Sequence, residues 1–340
     1  MGCPKHMEYG PCGGVGADGS CEAGAFPCVF LEGPPRPWEG VDGERGVPPG
    51  ARTSAAGATL ARLAAGRVVV ADLPARAADE HGLAACAAIL SGRVDAVLSG
   101  DAPDARVQYA PSLRAMLLGR EGIAVWAGVN CRDRNRVALE GEVAGLAVAG
   151  AAGVHCVTGD HTGIGHRPDA APVFDLDGVE LAAVARGAGH VVSVAEAPAA
   201  PPVGDRVARL LVKEAAGADV CFIDHCGGTS PVRRFVRSAR DAGSEVRFIA
   251  CVPVVFDVDS ASTLDSFPGM VLPPGYIQRI ASATDVRRAG IDAAIALAEE
   301  LLEVDGVDGV DLSGGSGPGG ELAYAEAVAE VADGIAGVAA

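Results

Sequence analysis

The stretch IAVWAGVNCRDRNRVALEGEVAGLAVAGAAGVHCVTG, residues 123–159, contains the pattern that decides the fold. It opens with an apolar run (123–129), continues through a segment of helical length and composition (133–151), and closes with a second, mostly apolar run (153–159). Neither run alternates strictly between apolar and polar residues, which is typical of strands that are buried on both faces of a parallel sheet. The stretch therefore predicts one β-α-β unit.

The same unit recurs along the chain from residue 58 onward. Each apolar run is followed by a helix-sized segment, and the predicted strands span 67–73, 94–100, 123–129, 153–159, 190–196, 219–225, 246–252 and 309–315. Eight such units predict an α/β fold, a closed (β/α)8 TIM barrel over residues 59–340. An open, doubly wound parallel sheet is the alternative.

The charge composition limits the kinds of binding partner that we expect. The chain has 340 residues, with 27 Lys and Arg against 44 Asp and Glu, and its formal net charge of -17 disfavours nucleic acid and anionic membrane surfaces. No apolar run approaches the roughly 18 residues of a spanning helix, and the N-terminus lacks the pattern of a signal peptide. We therefore expect a cytoplasmic protein without a nucleic-acid or membrane partner.

The N-terminal residues 1–45 differ from the rest of the chain. They are rich in Gly and Pro, contain few apolar side chains, and place Cys3, Cys12, Cys21 and Cys28 at the spacing C-x8-C-x8-C-x6-C. A bound metal would supply the stability that such a segment lacks, so the pattern predicts a metal-binding module with zinc, or alternatively a [4Fe-4S] cluster. Residues 46–58 are expected to form a linker, and an unstructured N-terminal tail is the other interpretation.

Polar residues at the ends of the predicted strands are the candidate site residues, because active sites of barrels lie at the carboxyl ends of their strands. These ends are mostly acidic, which suits a cationic or proton-demanding reaction centre. The loop after the last strand, SGGSGPGGE (313–321), contains Gly314 and Gly315, whose backbone N–H groups could approach a phosphate; a flexible turn is the alternative. The candidates before that loop are Asp72, Asp101, Asn130, Arg132, Asp160, His161, Glu196, Asp224 and His225.

Several motifs resemble the methylenetetrahydrofolate reductase family. The CRDRN run, the strand ending in TGD and the following PVFDLD, all within residues 129–177, resemble the middle of those enzymes. VKEAAGAD (212–219), PGMVLPPGYIQRI (268–280) and GIDAAIALAEEL (290–301) are similar to later family segments. CPK, GPCGG and the GSCE run resemble a small cysteine-rich module that accompanies some of these reductases.

The resemblance implies reduction of 5,10-methylenetetrahydrofolate to 5-methyltetrahydrofolate by hydride from NAD(P)H, through bound FAD or directly. Asp160 matches the family's aspartate at the pterin, and Asp72 stands where the family has a glutamate acid. His225 replaces the family's folate-binding glutamine, after Asp224 in place of a threonine. Lys213 matches a lysine on the flavin side.

Alternatives remain for these assignments. Asp72 and Asp160 could cap helices, and His225 could be satisfied by Asp224. Arg132 is expected to steady an anionic group. A different folate-dependent methyl or methylene transfer in a specialised pathway is the second functional hypothesis. The third is a non-catalytic subunit that docks a redox or corrinoid partner, and a homo-oligomer is also possible.

Overall fold

The eight predicted strands are present and close into a parallel barrel, in the order β10-β3-β4-β5-β6-β7-β8-β9. The computed structural model describes residues 2–40, 51–74, 78–101, 107–164, 167–265 and 269–338. The prediction of a (β/α)8 barrel is confirmed. The barrel strands are β3 (Val68–Asp72), β4 (Ala96–Ser99), β5 (Val125–Asn130), β6 (Gly153–Val157), β7 (Val192–Glu196), β8 (Val220–Ile223), β9 (Arg247–Pro253) and β10 (Val307–Ser313).

Helices follow the strands and cover the outside of the barrel. Their ends follow local sequence signals: α4 begins after Asn135, whose side chain accepts a hydrogen bond from the Ala138 N–H, and ends at Gly150 in the left-handed conformation. The part of the predicted linker from Ser54 onward is helical, and its residues 46–50 lie outside the described ranges. The helices are α1 (Ser54–Ala64), α2 (Glu80–Leu90), α3 (Pro111–Arg120), α4 (Arg136–Ala149), α5 (Gly178–Gly187), α6 (Arg206–Ala215), α7 (Thr229–Asp241), α8 (Val258–Asp265), α9 (Tyr276–Ala281), α10 (Val286–Leu302) and α11 (Glu321–Val338).

The barrel interior changes character along its axis. Alternate residues of each strand point inward, and near the amino ends of the strands these residues are apolar and fully packed. Trp126 packs edge-on against Phe222, with ring centroids 5.4 Å apart. Helix α1 closes this end of the barrel, since Ala56 and Leu63 join the same buried cluster. Open space inside the barrel is therefore confined to the carboxyl ends of the strands.

The N-terminal segment 2–40 lies against the carboxyl end of the barrel. It contains a short hairpin, β1 (Ser20–Cys21) and β2 (Gly24–Pro27). Tyr9 is buried with Val179 and Val212 of the barrel helices, and the Lys5 ammonium donates to the Gly159 carbonyl at 3.0 Å. The segment is therefore ordered by packing on the barrel. In the described ranges, no helix is both long and apolar enough to cross a membrane.

Candidate active site

A cavity opens at the carboxyl ends of the barrel strands. It has an outer lobe of about 410 Å³ beneath the N-terminal segment and an inner lobe of about 300 Å³ inside the barrel. Asp72, His155, Asp160 and Asp224 line both lobes, so the two are continuous. This is the position at which barrel enzymes hold their substrates.

Three carboxyl groups converge on the inner lobe because their strands are neighbours. Asp311 of β10 lies directly across from Cys251 of β9 and from Val70 of β3. Asp72 is two residues beyond Val70, and therefore on the same inward face. Asp224 directly follows β8, whose Ile223 pairs with the residue before Cys251. Asp72, Asp224 and Asp311 all line the inner lobe, and we call them the carboxyl cluster.

The hydrogen bonds of the carboxyl cluster are few. Asp72 Oδ2 accepts from the Gly314 N–H at 3.4 Å, and Asp224 Oδ1 accepts from the His225 N–H at 2.8 Å. Asp311 Oδ2 faces the Cys251 thiol at 3.7 Å, while its Oδ1 is buried without a partner in the described structure. None of the three carboxyls forms an ion pair within the described ranges.

Burial and mutual repulsion keep protons on this cluster. Withdrawal from water, reinforced by the Asp224 charge, raises the pKa of Asp72 to about 7. Burial and the charge of Asp72 raise the pKa of Asp311 well above its ordinary value. Burial also raises the pKa of Asp224. Asp72 can therefore gain and lose a proton near neutral pH, which is what general acid–base catalysis requires.

The two cavity histidines add no positive charge. His225 Nε2 is 2.8 Å from Ser313 Oγ, and His155 Nδ1 is 2.9 Å from Ser193 Oγ. Burial lowers the pKa of each to about 4. His225 is hydrogen-bonded to Ser313 through its ring, whereas Asp224 receives only its backbone N–H. At neutral pH, Asp72 is thus better suited than His225 to supply a proton.

The cations that line the outer lobe mostly have partners of their own. Lys213 Nζ lies 2.5 Å from Glu196 Oε2, and Arg206 approaches the same carboxylate at 3.3 Å. Burial alone would raise the pKa of Glu196, but these two charges lower it. Lys5 pairs with Glu22 at 2.7 Å, and both side chains are almost fully buried. The Lys213 pair fixes α6 to the end of β7. The Lys5–Glu22 pair lies within the N-terminal segment, and it is joined to the barrel because Lys5 donates to the Gly159 carbonyl and Glu22 accepts from the His161 N–H.

Polar side chains at or just after the ends of β4 and β5 form a second hydrogen-bonded group in the lining of the outer lobe. Asp101 accepts a hydrogen bond from Asn130 and forms an ion pair with Arg114 Nη2 at 3.0 Å. Arg132 pairs with Asp133 at 2.7 Å. The predicted binding residues Asp101, Asn130 and Arg132 therefore line the cavity but are largely engaged with each other or with neighbours.

The structure gathers most of the predicted site residues in this cavity. His161 stacks on Phe174 with ring centroids 6.2 Å apart, and neither His161 nor Gly315 lines either lobe. Sequence reasoning misses Asp311 and His155, which lie within strands, and Lys5, which precedes the barrel. Strand alternation contains the signal for Asp311, because Asp311 and Ser313 share the inward face. The predicted residues that line the cavity are Asp72, Asp101, Asn130, Arg132, Asp160, Lys213, Asp224, His225 and Gly314.

The predicted metal site is wrong. The described ranges contain no group of three or more His, Cys, Asp or Glu side chains arranged to hold a metal ion. Cys3, Cys12, Cys21 and Cys28 lie in one folded segment as free thiols. Burial raises the pKa of both Cys12 and Cys28. The predictions of zinc and of a [4Fe-4S] cluster are therefore both wrong, since packing on the barrel orders this segment instead.

Comparison with known proteins finds distant structural likeness and no family. No family model and no curated protein matches the chain. A solved structure of 2,3-dimethylmalate lyase, a PEP mutase/isocitrate lyase superfamily member, is 15% identical, with 76% of this chain and 80% of that chain covered and a TM-score of 0.49. Oxaloacetate acetylhydrolase is 13% identical, with 79% and 83% covered and a TM-score of 0.49. Phosphonopyruvate hydrolase is 16% identical, with 76% and 79% covered and a TM-score of 0.46.

These findings overturn the predicted relationship to methylenetetrahydrofolate reductases. The three solved structures named above are a lyase and two hydrolases, not folate reductases, and no family model matches the chain to support the motif resemblance. The predicted reductase activity is wrong, as are the cofactors FAD and NAD(P)H, and neither alternative, the folate-dependent transfer or the docking subunit, is supported. In this structure CRDRN supplies Asn135, the N-cap of α4, and TGD supplies Gly159, whose φ is +87°, so both short motifs have local structural roles that do not depend on one reaction.

Proposed function

We propose that this protein is an enzyme that uses Asp72 as a general acid and base on a small substrate held in the barrel cavity. The convergence of Asp72, Asp224 and Asp311 on the inner lobe is the observation that carries this proposal. Three carboxyls without an ion-pair partner among the described residues are costly to bury, so a purely structural role gives no reason for them to be there.

The three groups have different parts in this proposal. Asp72 exchanges a proton with the substrate, because its pKa of about 7 matches neutral pH and it lines both lobes. Asp224 supplies the negative charge that helps to raise the pKa of Asp72. The Gly314 N–H orients the carboxyl through its 3.4 Å contact with Oδ2.

In the forward direction, protonated Asp72 donates its proton to a substrate atom on which negative charge develops. In the reverse direction, the carboxylate removes a proton from the substrate. The N-terminal segment limits access of bulk water to the outer lobe, since Lys5, Cys12 and Glu22 form part of its lining. A partly dry site strengthens each electrostatic interaction within it.

The experiment measures proton exchange on a panel of compounds, so that the substrate need not be identified first. The enzyme is incubated in D2O at pH 7 with small amines, hydroxy acids and oxo acids, and mass spectrometry detects deuterium at carbon positions. We expect Asp72→Asn to lower the exchange rate of any active compound by roughly a hundredfold or more, the usual size of a lost acid–base group. The matched control is Asp241→Asn at the exposed end of α7, which should exchange at the wild-type rate.

Infrared spectroscopy tests the acid directly. The carbonyl band of a protonated carboxyl should disappear between pH 6 and 8 in the wild type, and this component should be missing in Asp72→Asn. Equal exchange rates in Asp72→Asn and the wild type, or an unchanged band in the variant, would contradict the role of Asp72.

A further inference from the structure

The carboxyl cluster has more acceptor capacity than the protein uses. Asp72 Oδ1, Asp224 Oδ2 and Asp311 Oδ1 each lack a hydrogen-bond partner among the described residues, whereas the other oxygen of each carboxyl has one donor. Asp311 is only 2% exposed, yet it lines the inner lobe. A buried carboxylate oxygen that points into a cavity without a donor indicates a ligand that brings one.

We infer that the inner lobe binds a primary ammonium group of the substrate, held by the open oxygens of Asp72, Asp224 and Asp311. This inference rests on the proposed function and adds the class of substrate, a small primary amine. An ammonium carries three N–H donors and no acceptor, so its donors match three open oxygens in number. Its charge offsets repulsion that no cation of the described residues relieves.

Other cations fit this lobe less well. A divalent metal needs oxygens at about 2.0–2.6 Å from one point, and the described side chains form no such group. Ammonium hydrogen bonds are longer, about 2.7–3.2 Å between nitrogen and oxygen, and they accept a wider arrangement of carboxyls. A quaternary ammonium has no donor to offer and is usually held by several aromatic faces, whereas Phe222 is the aromatic ring that lines this lobe.

Each described titratable group that lines the inner lobe is either acidic or neutral. Asp72 comes from β3, Asp224 and His225 from the end of β8, Cys251 from β9, Asp311 from β10 and Tyr324 from α11, and His155 and Asp160 complete the inner lobe. The histidines stay neutral at pH 7 because burial lowers their pKa, and the Cys251 thiol stays neutral because burial raises its pKa. An ammonium that enters at pH 6 therefore meets Asp72 in its protonated form, and binding must release that proton to form an ion pair.

The test is isothermal titration calorimetry with n-propylamine, ethanolamine and 1,3-diaminopropane, using the full chain. Isosteric alcohols, tetramethylammonium and magnesium chloride serve as comparison probes. We expect at least one amine to bind, to release protons in two buffers of different ionisation enthalpy, and to bind more tightly at pH 8 than at pH 6. Asp311→Asn should weaken binding by roughly thirtyfold or more, the size expected for loss of a buried charged partner.

Asp241→Asn controls for the change in net charge and should bind as the wild type does. The inference is overturned if none of the amines binds up to 50 mM, if alcohols or tetramethylammonium bind equally well, if magnesium alone binds, or if Asp311→Asn binds as the wild type. Amine binding without deuterium exchange would support this inference and contradict the proposed function. Deuterium exchange that occurs only on neutral or anionic compounds would support the proposed function and contradict this inference.

Discussion

Replacing Asp72 by Asn should make the protein more stable at alkaline pH. The amide has nearly the same shape as the carboxyl, and its oxygen can still accept the Gly314 N–H. It cannot ionise, however, so folding no longer places a charge beside Asp224 in the inner lobe. The variant thus removes the cost of the buried charge while it leaves the packing in place.

The magnitude follows from the two protonation states. The pKa of Asp72 is about 7 in the folded protein and about 3.9 in an unfolded chain, and each unit corresponds to about 1.4 kcal/mol. Because the folded pKa is the higher one, Asp72 contributes its full stabilisation below about pH 4 and loses it as the pH rises to about 7. The free energy of unfolding of Asp72→Asn should therefore equal that of the wild type near pH 4 and exceed it by about 4 kcal/mol at pH 8.

Urea unfolding at pH 5, 6, 7 and 8 measures this difference. The free energies of unfolding of wild type, Asp72→Asn and the control Asp241→Asn are compared at each pH, and an unchanged m-value shows that the same surface is exposed. The difference between Asp72→Asn and the wild type should grow with pH, whereas that of the control should stay constant. A difference that is flat from pH 5 to 8, or a variant that is less stable at pH 8, would refute the reasoning.

The remaining predictions concern the parts of the structure that hold the cavity. Lys5→Met leaves Glu22 buried without the ammonium at 2.7 Å and removes the bond to the Gly159 carbonyl. The docked state of the N-terminal segment should therefore lose about 3–5 kcal/mol of stability, and the segment should detach. Limited proteolysis should then cut within residues 2–40, the double variant with Glu22→Gln should recover part of the protection, and an uncut segment in Lys5→Met would contradict the role of the pair. Gly314→Ala should lower the unfolding free energy by about 1–3 kcal/mol, because φ is +149° and an added Cβ would lie 2.9 Å from Tyr324 Oη; a thermal melt that matches the wild type would show that the loop adapts.

The barrel can be predicted from sequence because its signal is repeated and local. Each strand core is an apolar run that needs no partner to be recognised, and the structure differs from the predicted bounds by at most a few residues at each end, as for β6 at Gly153–Val157 against 153–159. Strand ends also place Asp72, Asp160 and Asp224 at one mouth, since the carboxyl ends of parallel strands meet there.

The site can be predicted only in part, because its remaining groups depend on tertiary packing. Asp311 lies in the middle of a strand, where sequence reasoning expects a core residue, and its exposure to the cavity follows from the register with Cys251. In the sequence, Lys213 and Arg132 look like free binding residues. The structure shows that they form ion pairs with Glu196 and Asp133. Lys213 and Glu196 are 17 residues apart, so no local spacing reveals their pair, whereas Arg132 and Asp133 are chain neighbours whose pairing depends on how the side chains turn.

The N-terminal segment shows why the metal prediction is wrong and why the segment matters to the cavity. Residues 2–40 would need a metal only if they folded alone, but Tyr9 shares the core of α5 and α6, and Lys5 bonds to the loop after β6. The same contacts place Lys5 and Glu22 in the lining of the outer lobe, between solvent and Asp72. Because withdrawal from water is the largest cause of the raised pKa of Asp72, we expect a change that opens this segment and admits water to the cavity to lower that pKa. Hydration of the cavity would then couple the order of the segment to the proton affinity of Asp72.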